Sequence, residues 1–288
     1  MCFNFIRTYS LVIIGLLFTQ ISPVCVADPN EADYFESSVP FKPFDSGERV
    51  AFLGDSITAT GRYVRLIRLF YATRFPDRPM RIYNCGVAGA SAPSSWSRID
   101  ADCLHLDPTT VVIMLGMNDA GKTATPQTYK RYQDYMTRLM DRISEKPERK
   151  LALIVPSAYD QTSAIEISNH RGRNDTIRNF GQWLVEQGDA RRVPVVDFNT
   201  PLLQVNAERQ VKHPAFSAIG KDRIHPGVSG HTVMVHSFVR AQGIKGPVAS
   251  IDIDATTETK KAHNAAITKL KVADDQVSFI YAPKALPY

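Results

Sequence analysis

Five short apolar runs, each followed by a longer segment of helical spacing, constrain this 288-residue chain more than any other feature. The runs cover 49–53, 80–84, 110–115, 151–155 and 193–197, and each ends beside a glycine, proline or polar residue. Apolar stretches of this length without polar alternation suit strands covered on both faces, which is the condition of a parallel sheet. The segments between them, 63–75, 94–104, 128–144 and 174–187, carry apolar residues at helical intervals, and a last helix is expected from Pro226-Gly227 to about Gln242. Strand and helix in strict alternation predict an α/β fold: a three-layer α/β/α sandwich on a five-stranded parallel sheet, joined by right-handed crossovers.

The two ends of the chain fall outside that alternation. Residues 1–27 hold a single charge, Arg7, then an apolar run at 11–18 and small residues at Cys25-Val26-Ala27, the layout of a cleavable signal peptide. The run is shorter than the ~20 residues that span a bilayer. A secreted or periplasmic protein beginning at Asp28 is therefore expected, without stable membrane insertion. Residues 28–47, rich in Pro, Ser and acids, suggest a loose leader; 48–245 form the expected catalytic-sized domain, and 246–288 a C-terminal extension with strand-like stretches at 251–254 and 277–281.

Losing Arg7 lowers the formal net charge from +5 to +4. Acids and bases are interspersed, with no basic block of the kind that holds nucleic acid. Cys85 and Cys103 remain after the signal, and either a disulfide or two buried thiols fits them. No Cys/His spacing matches a zinc site, and neither metal nor organic cofactor is called for.

Functional groups in a parallel sheet gather at the carboxyl ends of the strands, where loops diverge and helix N-termini point. Three motifs stand there: Gly54-Asp55-Ser56-Ile57, Asn84-Cys85-Gly86-Val87-Ala88-Gly89 and Gly116-Met117-Asn118-Asp119. A fourth, Asp222-Arg223-Ile224-His225, precedes the last helix. A serine is a poor nucleophile at neutral pH and needs a base within hydrogen-bond reach. His225 suits that role for Ser56, with Asp222 three residues earlier to fix its tautomer.

These four motifs in this order resemble the SGNH (GDSL) family of serine esterases and acylhydrolases over roughly residues 48–242. The resemblance implies the family's flavodoxin-like sandwich, a catalytic triad of Ser56, Asp222 and His225, and an oxyanion hole formed by the N–H of Ser56, the N–H of Gly89 and the side-chain amide of Asn118. Asp55, Asn84 and Asp119 belong to the same motifs and are expected to hold loop backbone in place rather than to react. No Gly-x-Ser-x-Gly elbow is present, which disfavours the α/β-hydrolase fold.

The expected function is hydrolysis of short-chain esters, acetyl above all, on a carbohydrate. That preference follows from export, from polar residues around the motifs (Thr58, Thr60, Ser91, Ser94) and from the family's frequent use as carbohydrate esterases. A lysophospholipase or thioesterase is the enzymatic alternative. A non-catalytic glycan-binding protein on the same fold is the alternative from another class, and it would be marked by a missing triad or oxyanion member. None is missing.

Overall fold

The computed structural model describes residues 34–122, 124–244, 248–273 and 276–285. The signal-peptide expectation lies outside these residues. Five strands, β1 (Arg49–Gly54), β2 (Arg81–Gly86), β3 (Thr110–Met114), β4 (Lys150–Val155) and β5 (Val195–Asp197), form one parallel sheet in the order β2-β1-β3-β4-β5. All five residues of β3 are buried, as are the last five of β1 and of β4. That double-sided burial is why their sequences do not alternate.

Among the described residues eight helices follow or connect the strands: α1 (Ser56–Ala59), α2 (Arg62–Arg74), α3 (Ala92–Trp96), α4 (Ile99–Asp102), α5 (Pro126–Ser144), α6 (Arg173–Arg191), α7 (Asn199–Gln210) and α8 (Val228–Ala241). On one face α2 and α8 pack together over an aromatic cluster in which Phe238 lies 5.7 Å from Phe52 and 5.9 Å from Phe44, ring centre to ring centre. On the other, α5 and α6 meet where Tyr132 stacks on Phe180 at 3.9 Å. The sheet order reverses between β1 and β3, so their carboxyl ends flank the crevice where open α/β sheets place their sites.

The structure departs from the sequence expectations in four places. The helix expected at 94–104 breaks into α3, α4 and a 3-10 turn at Leu104–Leu106. Ser97 Oγ and Arg98 Nε both donate to the Ser94 carbonyl, the acceptor that a continuing helix would offer to the N–H of residue 98. Helix α7 was not among the expected helices, and Pro201 stands in its first turn. The Asp197 carboxylate accepts from the N–H groups of Asn199 and Thr200 and starts the helix ahead of that proline.

Residues 34–47 are irregular but not loose. Phe35 N–H donates to Asp197, Ser38 to Asp189 and Phe44 N–H to the Tyr71 hydroxyl, while Phe44 itself is only 2% exposed. Burying one such ring is worth roughly 2–3 kcal/mol, enough to hold a segment without regular structure. In the tail, 251–254 and 277–281 do fall in strands β6 (Ser250–Asp254) and β9 (Val277–Pro283). Their antiparallel partners β7 (Thr259–His263) and β8 (Ala265–Val272) have no counterpart among the expected strands.

Candidate active site

Ser56 is the first residue of α1, directly after β1. Its predecessor Asp55 is extended and accepts the Ile57 N–H at 2.9 Å, an N-cap that turns the chain sharply and leaves the serine at the sheet's edge. Ser56 Oγ lies 2.8 Å from His225 Nε2. His225 Nδ1 lies 2.5 Å from Asp222 Oδ2, while Asp222 Oδ1 accepts the N–H groups of Ile224 and His225. A carboxylate at Nδ1 fixes the proton there, so Nε2 presents a lone pair to the serine hydroxyl. Partial burial works to raise the Asp222 pKa. The His225 N–H, its ring and the Ile224 N–H overcome this and hold the carboxyl below the usual range, keeping it charged. The side chains of His225 and Asp222 are 42% and 47% exposed, so a substrate reaches them without backbone movement.

The second and third loops bring the expected donors to the same edge. Gly89 has φ of +75°, a left-handed conformation that an L side chain resists, and space around it is open; conformation, not crowding, requires glycine here. Among the described residues the N–H groups of Ser56 and Gly89 have no protein acceptor. Asn118 is exposed, and one N–H of its amide donates to the Ala90 carbonyl at 2.9 Å, tying the second loop to the third and leaving the other N–H for a ligand.

The remaining motif residues hold backbone. Asn84 donates to the Thr58 carbonyl at 2.8 Å and accepts the Gly86 N–H at 2.9 Å, clamping α1 to the end of β2. A Cβ on Gly86 would come within 2.4 Å of the Ala59 nitrogen, so that close approach needs glycine. Asp119 accepts the Ala92 N–H with both oxygens, at 3.0 and 3.2 Å. Burial pushes Asp55 and Asp119 up to about 6 each.

Two arginines escaped the sequence analysis. Arg223 lies inside the Asp-x-x-His motif with φ of +66°, and its guanidinium donates to the carbonyls of Asp160 (3.0 Å), Ser163 (3.1 Å) and Ile165 (2.9 Å), anchoring the loop that carries His225. Buried Arg173 donates to the Met117 carbonyl at 2.7 Å, directly before Asn118. No local pattern signals either contact. Of the polar residues expected to give the site its character, Thr58 is fully buried with its hydroxyl on Tyr63, and Ser91 and Ser94 cap α3 against each other. Thr60 borders a cavity beside His225.

Cys85 and Cys103 are buried and unbridged. Among the described residues no group of three or more His, Cys, Asp or Glu is placed to hold a metal ion, and no helix is long and apolar enough to cross a membrane.

Ser56, Gly89, Asn118 and the Asp222–His225 pair thus stand on four loops at one edge of the sheet. An acetylxylan esterase of Geobacillus stearothermophilus is 25% identical over 220 residues, 69% of this chain and 96% of that protein. A solved structure of a gut microbial diltiazem-metabolizing enzyme superposes with a TM-score of 0.81 at 34% identity; the match covers 87% of this chain and 59% of that one. The crystal structure of Axe2, an acetylxylan esterase from Geobacillus stearothermophilus, superposes at 0.58 with 24% identity over 70% of this chain and 96% of its own, which bears on the fold alone. The profile of the GDSL-like lipase/acylhydrolase family matches residues 52–233. The chain belongs to that family and, with it, to the serine ester hydrolases.

Proposed function

We propose that the protein is an exported esterase that removes a short acyl group, acetyl foremost, from a carbohydrate through an acyl-serine on Ser56. One observation carries the mechanism: the unbroken relay from Ser56 Oγ through both nitrogens of His225 to Asp222, at 2.8 and 2.5 Å. Ser56 Oγ attacks the ester carbonyl as His225 Nε2 takes its proton, and Asp222 stabilises the imidazolium that results. The carbonyl oxygen becomes negative and meets the N–H groups of Ser56 and Gly89 and the free amide N–H of Asn118. Collapse of the intermediate breaks the bond to the alcohol oxygen, which leaves with the proton from His225. Water, deprotonated by the same histidine, then releases the acid and restores Ser56.

The acyl and sugar preferences are supported by the acetylxylan esterase likeness, which spans nearly all of that relative. Export rests on the layout of residues 1–27, Arg7 followed by the apolar run and small residues. The test is hydrolysis of 4-nitrophenyl acetate beside a matched long-chain ester by residues 28–288 and by the Ser56→Ala variant. The expected outcome is preference for acetate, with turnover lost in the variant by at least roughly three orders of magnitude. Wild-type rates in Ser56→Ala would end the proposal, and a long-chain preference would move the substrate class to lipids.

A further inference from the structure

A cavity of about 580 Å³ opens beside His225, between the start of α2 and the loop that leads into α8, with Thr60, Arg62, Lys221 and His231 in its wall. Arg62 and Lys221 are both exposed, and Arg65 stands one turn further along α2. None of these three cations forms a hydrogen bond or ion pair with a described residue. The nearby acids are already occupied, Asp222 by His225 and Asp55 by the Ile57 N–H. Arg62, in the first turn of α2, also opposes the helix macrodipole, and that turn holds no acid to offset it. Folding does not favour such a placement, whereas binding an anion does.

A second observation lies deeper in the same cavity. His231, on α8, is only 2% exposed, its ring stacks on Tyr63 at 6.2 Å, and its Nδ1 is buried without a hydrogen-bond partner. Burial, together with Arg62 and Arg65, lowers its pKa to about 4, so the ring is neutral at pH 7. An unpaired buried nitrogen costs on the order of 1–3 kcal/mol until something meets it.

The side on which the cavity lies decides which part of a substrate enters it. The histidine that receives the serine proton hands it to the departing oxygen, so space beside His225 holds the alcohol half of the ester. We propose that this cavity is a subsite for an anionic alcohol moiety, specifically an acetylated uronic acid residue whose carboxylate pairs with Arg62 and Lys221. The inference rests on the esterase reading above and narrows its substrate class from carbohydrates to acidic glycans.

The test compares acetate release from an acetylated oligogalacturonide with release from the same oligosaccharide after its carboxylates are converted to amides. The expected ratio of kcat/KM, acid to amide, is at least ~10 at low ionic strength and shrinks as salt rises to about 0.5 M. In Lys221→Glu the ratio falls below one, and in the Arg62→Gln, Lys221→Gln double variant it falls to about one. Because each ratio is internal to one protein, partial loss of folded material does not change it. A wild-type ratio near one, or a ratio indifferent to these substitutions, overturns the inference while 4-nitrophenyl acetate turnover keeps the esterase reading intact. Absence of turnover on that probe as well overturns both.

Discussion

Replacing Asp55 by asparagine isolates what it costs to keep a carboxyl group inside the nucleophile turn. Asp55 is 1% exposed, and burial pushes its pKa from 3.8 up to about 6, although the Ile57 N–H and the His225 ring favour the charged form. The folded protein therefore retains a proton that the unfolded chain releases. The stability this confers is fully present below pH 3.8 and is lost as pH rises through about 6. A difference of about 2.2 units, at 1.36 kcal/mol per unit, amounts to about 3 kcal/mol. Asparagine does not titrate, still offers an oxygen to the Ile57 N–H, and is a good N-cap. In urea unfolding at intervals from pH 4 to 7, the variant should gain about 2 kcal/mol of that total relative to wild type, the remainder falling outside the range. Asp119, shifted to a similar value, is present in both proteins and largely cancels. Two stability curves that stay parallel over this range would refute the argument, because the burial penalty would then be absent.

Asn118→Ala removes the free amide donor and the bond to Ala90; kcat on acetate esters should fall roughly 100- to 1,000-fold with little change in KM, read from steady-state kinetics. An unaltered kcat would exclude Asn118 from the oxyanion hole. Arg223→Lys replaces a fork that reaches four carbonyls with a single ammonium, so kcat should drop at least ~10-fold as the loop carrying Asp222 and His225 loosens. Full activity in that variant would show that the loop holds its shape without the guanidinium.

The sheet was legible because each core strand is wrapped by helices and so appears as an unbroken apolar run; 151–155, for example, lies within β4, whose last five residues are buried. The site was legible because its chemistry is carried by short local motifs, and the structure brings all eight expected residues to one edge. What stayed hidden depended on contacts distant in sequence. Helix α7 starts on a carboxylate that also holds Phe35, 162 residues away, and Arg223 is recognisable as an anchor only once residues 160–165 lie against it. The hairpin partner β7 was hidden for another reason. Every residue of it is exposed, and its Thr-Lys-Lys-Ala-His sequence holds no apolar alternation.

The distance along the chain between Ser56 and His225, 169 residues, also bears on synthesis. A ribosome adds roughly 5–20 residues per second, so roughly 10–30 s separate the emergence of the nucleophile from that of its base. Throughout that interval the serine is an ordinary alcohol. Only when the Asp222–His225 loop has emerged and settled against β1 does the nascent polypeptide acquire a reactive centre, and esters it meets before then are left intact.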